Sequence, residues 1–180
     1  MKIVKKILLV VLILAAIPFI SALFMKKDYA VEREITVSRT VSEVFEYLKY
    51  FKNHQKFSTW TNKDPKSIIT FKGEDGKIGA TSTWDGNDEV GKGEQELKKI
   101  DPLKRIDVEL RFIKPFEGVA NAYFTTEAID STSTKVIWGI NGRDEYPLNF
   151  MQVFINYDTM MGTEFEAGLK NLKTVLETQK

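Results

Sequence analysis

The stretch DTMMGTEFEAGLKNLKTVLETQK, residues 158–180, places Met161, Phe165, Leu169, Leu172 and Leu176 at helical spacing, with Met160 and Val175 beside them. Glu164, Glu166, Lys170, Lys173 and Glu177 fall on the other side and no proline interrupts the run, so the spacing predicts one long amphipathic helix. Gly162 and Gly168 sit inside it, each costing roughly 1 kcal/mol relative to alanine. Gly168 lies one turn from Phe165 and Leu172, on or near the apolar face. A glycine there lets something come close, either a strand or a bound molecule. The helix therefore either closes an ordinary core or forms one wall of a cavity.

Upstream, the pattern changes from helix to strand. Residues 105–113 alternate Ile106, Val108, Leu110 and Phe112 with Asp107, Glu109 and Arg111, as a strand with one buried face does. Similar runs at 31–37, 67–72, 80–84, 90–100, 119–129 and 134–140 are separated by turn residues such as Glu74-Asp75-Gly76, Asp85-Gly86 and Asp130-Ser131. Tight turns make neighbouring strands antiparallel. One apolar and one charged face per strand mean that the sheet is covered on one side. Gly91 and Gly93 mark a bulge where the sheet bends. Thr40 followed by Glu43 reads as a capping box opening a short helix with Val41, Val44, Phe45 and Leu48 on its apolar face. Residues 53–60 read as a poorer helical turn or loop, and 146–157 as a lid helix or the start of the final one.

The first residues carry a different message. Lys2, Lys5 and Lys6 precede Ile7–Met25, which holds no charge, and Lys26 and Lys27 follow. At 1.5 Å per residue that run reaches roughly 28 Å, about the hydrocarbon thickness of a bilayer. A secretory signal shares the pattern, but Ile20-Ser21-Ala22 is a poor cleavage site because its first residue is bulky. The segment reads as an uncleaved anchor. The organisation expected is a basic flank at 1–6, a transmembrane helix or signal anchor at 7–25, a tether at 26–30 and a globular domain at 31–180. The lysine bias favours a cytoplasmic N-terminus and a domain on the non-cytoplasmic side.

Composition removes several functions. The chain has 26 basic and 25 acidic residues, a net charge of +1, with no basic stripe of the kind that nucleic acid requires. There is no cysteine and a single histidine, His54, which leaves no thiolate or multi-histidine metal site. No cofactor or metal is expected. His54 lies in a polar stretch and reads as exposed. Arg143-Asp144-Glu145 reads as a solvated turn, and Glu94, Glu96, Glu109 and Glu127 as lying on the wet convex face. No pair of carboxylates is spaced for acid–base work.

Four stretches in this order, FSTW at 57–60, IGATSTWDG at 78–86, VGKGEQELKKIDP at 90–102 and TKVIWGI at 134–140, resemble the START-like SRPBCC superfamily. The resemblance is nearest to its polyketide cyclase/dehydrase and lipid-transport group and covers about residues 31–178. It implies an α+β helix-grip fold: a curved antiparallel sheet of about seven strands around a long C-terminal helix, here with an N-terminal transmembrane helix added. Many relatives have proline where Thr59 precedes Trp60. Members bind ligands between helix and sheet, which makes Trp60, Trp84, Phe112, Phe124, Trp138, Phe150, Phe154, Met161, Phe165, Gly168 and Leu169 the expected pocket lining. No shared catalytic constellation carries over. The resemblance implies a membrane-anchored binding domain for a hydrophobic small molecule or lipid. The alternatives are a cyclase, dehydrase or hydrolase using the same pocket, and a protein-interaction module that takes no ligand.

Overall fold

A computed structural model of the chain describes residues 2–178. An apolar helix, α1 (Lys2–Ala22), leads into strand β1 (Asp28–Val37). Three short helices follow: α2 (Val41–Leu48), α3 (Phe51–His54) and α4 (Trp60–Lys63). Six strands come next: β2 (Ile68–Lys72), β3 (Thr81–Asp85), β4 (Lys92–Asp101), β5 (Arg105–Lys114), β6 (Gly118–Ala128) and β7 (Thr134–Arg143). A 3-10 helix (Leu148–Val153) and the long helix α5 (Tyr157–Thr178) complete the described chain. Gln179 and Lys180, which the sequence places in the final helix, lie outside the described residues, as does Met1 of the basic flank.

The seven strands form one antiparallel sheet in the order β1-β7-β6-β5-β4-β3-β2. Consecutive strands from β2 to β7 pair through turns, and β1 closes onto β7 with Val31 opposite Ile140 and Val37 opposite Thr134. The expected bulge is present, with the β4–β5 register shifting at Lys92/Gly93 and again at Leu97/Lys99. Gly91 has φ +70°, and a side chain there would strike the Lys114 carbonyl. Each shift adds a residue to one strand and bends the sheet, curling its concave face around α5.

α2 begins where the sequence predicts. The Thr40 hydroxyl accepts from the Glu43 N–H and the Glu43 carboxylate accepts from the Thr40 N–H. That box is worth about 1 kcal/mol. The buried Val44, Phe45 and Leu48 contribute about 1.5–3 kcal/mol each, so packing rather than capping holds the helix down. α3 gets its cap from a distance: the Asp75 carboxylate, in the β2–β3 turn, accepts from the N–H groups of Phe51 (2.8 Å) and Lys52 (3.2 Å). Sequence proximity gives no sign of that bond.

Two boundaries differ from expectation. β1 starts at Asp28, because Asp28, Tyr29 and Ala30 continue the ladder opposite Arg143, Gly142 and Asn141; most of the expected 26–30 tether is strand. Of residues 146–157, only Tyr157 belongs to α5, and the rest form no lid α-helix. The Asn156 carbonyl and side-chain oxygens accept from the N–H groups of Met160 and Thr159, so a fresh cap starts α5 and the preceding apolar residues stay in a separate 3-10 turn.

α5 packs along β1. Phe165, Leu169, Leu172 and Leu176 are buried beneath it together with Val31 and Val37 of β1 and Val136, Trp138 and Ile140 of β7. Burying those four helix side chains gains several times what Gly162 and Gly168 cost the helix. Arg33 shares the inward-facing parity of Val31 and Val37. It donates Nε to Glu166 (2.9 Å) and Nη1 to Asp158 (2.9 Å), while Nη2 reaches the Asp158 backbone carbonyl (3.1 Å). Glu166 is thus tied to the sheet rather than simply facing water. The hydrogen bond from Arg33 leads the effects that hold the Asp158 carboxyl below the usual carboxylate range.

Candidate functional site

The seam between α5 and the sheet is built around Trp138. β7 carries it on the inward face, opposite Phe124 of β6. Its ring stacks on Phe165 at 4.6 Å and 18° and meets Phe124 at 5.1 Å, Phe57 at 5.7 Å and Trp60 at 6.0 Å. These are contact distances between aromatic rings, so at this level the seam is occupied by the protein's own side chains. A Cβ on Gly168 would lie 2.6 Å from Trp138 Cζ3. The close approach that this glycine allows is therefore made by a strand side chain.

Six of the expected lining residues, Trp60, Phe124, Trp138, Phe165, Gly168 and Leu169, thus come together, and Met161 packs partly buried against the same core. Phe112 also packs partly buried against that core, and the other three do not join it. Trp84 and Phe112 pair with each other at 6.0 Å on β3 and β5, further along the concave face. The Trp84 ring crosses Gly93, where any side chain would collide with it. Phe150 and Phe154 pair at 5.7 Å in and beside the 3-10 turn, and Phe154 is 71% exposed.

His54 corrects the sequence reading. Its ring lies 5.4 Å from each of Phe51, Phe57 and Phe124, and Nε2 donates to the Leu48 carbonyl at 2.7 Å. Burial pushes its pKa below the ordinary 6.5, outweighing the bond to Leu48 and the charge of Asp75. The half-buried imidazole is part of the packing. The folded state resists a proton that the unfolded chain accepts near 6.5, so stability is full above that pH and declines as pH falls below it. Urea midpoints should drop between about pH 7.5 and about pH 5.5, and His54→Asn should flatten that slope. A wild-type midpoint unchanged over this range would place the ring in water.

Charges tie the surrounding pieces together. Lys63 of α4 reaches Glu164 of α5 at 2.8 Å and Glu89 of the β3–β4 turn at 3.5 Å. Partial burial works against the charge on Glu164, but Lys63 beside it holds its carboxyl below the usual range. On the convex face Arg111 bonds Glu94, Glu96 and Glu109, where the strand parity put those carboxylates. Among the described residues no cluster of three or more His, Asp or Glu side chains could hold a metal ion.

A second feature lies at the far end of the helix–sheet seam. An open groove of about 430 Å³ is lined by Tyr29, Ala30 and residues 152–158. The Tyr29 and Tyr157 rings lie 4.4 Å apart, and the Tyr157 hydroxyl donates to Asp144 Oδ2 at 3.0 Å. Burial, then that bond, push the Tyr157 phenol well above its ordinary value. Sequence reading found only Phe154 of this groove; the signal available was an uncharged apolar run interrupted by Asn149, Gln152 and Asn156.

No protein-family model and no curated protein matches the chain. Solved structures do. Norcoclaurine synthase from Thalictrum flavum, in complex with dopamine and hydroxybenzaldehyde, matches with a TM-score of 0.63 at 10% identity, over 89% of this chain and 93% of that one. The Aha1 dimer from Colwellia psychrerythraea matches at 0.58 and 18% identity, over 84% and 98%. Major latex-like protein 151 from Panax ginseng matches at 0.56 and 12%, over 82% and 97%. At such identities the likeness speaks for architecture alone. With its seven-stranded antiparallel sheet packed on the long C-terminal α5, the chain has an α+β helix-grip fold.

Proposed function

We propose that the chain is a membrane-anchored domain that binds a hydrophobic small molecule or lipid on the concave face of its sheet. The observation that carries this reading is the incomplete cover of that face. Trp138 and Phe165 are sealed, yet Trp60, Trp84, Leu110, Phe112 and Met161, on the same side of the sheet, remain partly open. Covering such surface gains about 25 cal/mol per Å², and apolar walls with few polar groups are what small-molecule sites use. The norcoclaurine synthase structure holds two small aromatic molecules in a fold of this kind.

α1 supplies the anchor in this reading. It holds a long apolar, unburied stretch (mean hydropathy 2.6), and its first turns carry Lys2, Lys5 and Lys6. The positive-inside bias puts the domain on the non-cytoplasmic side. A cyclase, dehydrase or hydrolase chemistry has less support, because His54 packs among Phe51, Phe57 and Phe124 with Nε2 committed to the Leu48 carbonyl. The interaction module keeps a specific observation in its favour: Trp138 and Arg33, not a ligand, occupy the space beside Gly168 and Gly162.

The full chain in detergent should bind N-phenyl-1-naphthylamine at micromolar levels. Phe112→Arg should weaken that binding at least about tenfold, or 1.4 kcal/mol, with thermal stability measured alongside. Equal dye affinity in a folded Phe112→Arg variant would remove this face as the site. Absence of dye binding, together with no ligand co-purifying in native mass spectrometry of membrane extracts, would leave the interaction module.

A further inference from the structure

We propose that the segment 146–155 is a membrane-docking surface that seats the globular domain directly on the bilayer beside α1. The inference rests on the reading of α1 as an anchor and adds where the domain stands relative to the lipid.

The segment carries no charge from Tyr146 to Tyr157, and it exposes what a soluble surface usually hides. Leu148, Val153 and Phe154 are 49%, 60% and 71% exposed. Scattered apolar residues on a surface are ordinary, but a contiguous run marks a contact. The run is also held at a fixed place. Asn149, fully buried, donates Nδ2 to the Ala22 carbonyl at 2.7 Å, satisfying one of the carbonyls that the end of α1 leaves open. Gln152 donates Nε2 to the Lys27 carbonyl at 3.1 Å. Two side chains of the segment thus grip the link between α1 and β1 on either side of residues 23–26.

Those bonds set its height. Ala22 lies inside the uncharged run that ends at Met25, three residues short of its end. If Ile7–Met25 spans the hydrocarbon, a segment bonded to Ala22 is at the boundary between acyl chains and headgroups. Apolar side chains bury at that depth, with tyrosine suited to its outer edge. Among the neighbouring charges Lys27 is matched with Glu145, and Arg143 with both Asp28 and Glu145, while Lys26 is exposed and suits the headgroup layer. Lipid is therefore the fitting occupant, and a neutral surface suffices.

The sequence has no cysteine, so single-cysteine variants can be labelled cleanly with the fluorophore NBD. Val153→Cys and Phe154→Cys, in the full chain reconstituted into phosphatidylcholine vesicles, should show blue-shifted emission. Quenching by doxyl lipid labelled near the headgroup should exceed that of Ile129→Cys by at least about twofold, with little dependence on salt. Ile129, also exposed, lies in the β6–β7 turn at the opposite end of the sheet. Leu12→Cys, quenched by deeply labelled lipid, reports the anchor itself. If Leu12 is quenched while 153 and 154 behave like 129, docking is wrong and the anchor stands. A blue shift at 153 and 154 without lipid quenching means that protein covers the segment, and also overturns docking. An unquenched Leu12 removes the anchor and the inference with it.

Discussion

Gly168→Leu should lower the stability of the domain by about 3 kcal/mol or more, at or beyond the upper end of ordinary overpacking costs. The first carbon added already lies 2.6 Å from Trp138 Cζ3, and leucine adds three more. Trp138 has nowhere to move, with Phe165 stacked on one face and Phe124, Phe57 and Trp60 around it. Gly162 provides the contrast. A Cβ there would overlap the Arg33 guanidinium, but that is the far end of a flexible, partly exposed side chain. Displacing it loosens contacts with Asp158 and Glu166, while alanine returns roughly 1 kcal/mol of helix propensity. Gly162→Ala should therefore be close to neutral. Urea unfolding of the full chain in detergent measures both. If leucine at 168 were tolerated as easily as alanine at 162, the helix would not be seated on Trp138.

Trp138→Ala should be still more damaging, at about 3–5 kcal/mol, because the ring touches four other aromatics and is only 8% exposed. The hole it leaves is walled by Phe57, Phe124 and Phe165, and an apolar hole of that kind stays dry and accepts small aromatic molecules. Indole at about 100 times its dissociation constant should return about 2.7 kcal/mol to the variant and little to the wild type. Equal stabilisation of both would mean that the native seam already holds a void, moving the ligand site inward from Trp84 and Phe112. No rescue of the variant would mean that the core collapses around the missing ring.

Much of this architecture is legible in the residues. The alternation in β5, the Thr40–Glu43 cap and the apolar stripe of α5 are local signals, and each is found where it was expected. The clamp by Arg33 was legible too, since residue 33 shares the parity of Val31 and Val37 and must point inward; its charge concealed that. The division of the aromatic set was not. Parity puts Trp84, Phe112 and Trp138 on one face, but which strands they reach across depends on sheet order and bulges, and those are tertiary facts. His54 misled for a similar reason. Its sequence neighbours Lys52, Asn53 and Gln55 are polar, and only the packing of α3 against β6 brings Phe124 to its ring. The 146–157 run is apolar enough for a helix, and only the cap at Asn156 divides it.

The pairing of β1 with β7 has a consequence for how the chain is made. Arg143, the partner of Asp28, lies 115 residues further along. At roughly 5–20 residues per second, a ribosome needs about 6–23 s to supply it. Throughout that interval β1 lacks its ladder partner, while the hairpins from β2 onward can zip up locally as they emerge. The strand translated earliest is thus the last to find its place, and a nascent chain stalled before residue 134 should leave Val31 and Val37 open to chaperones.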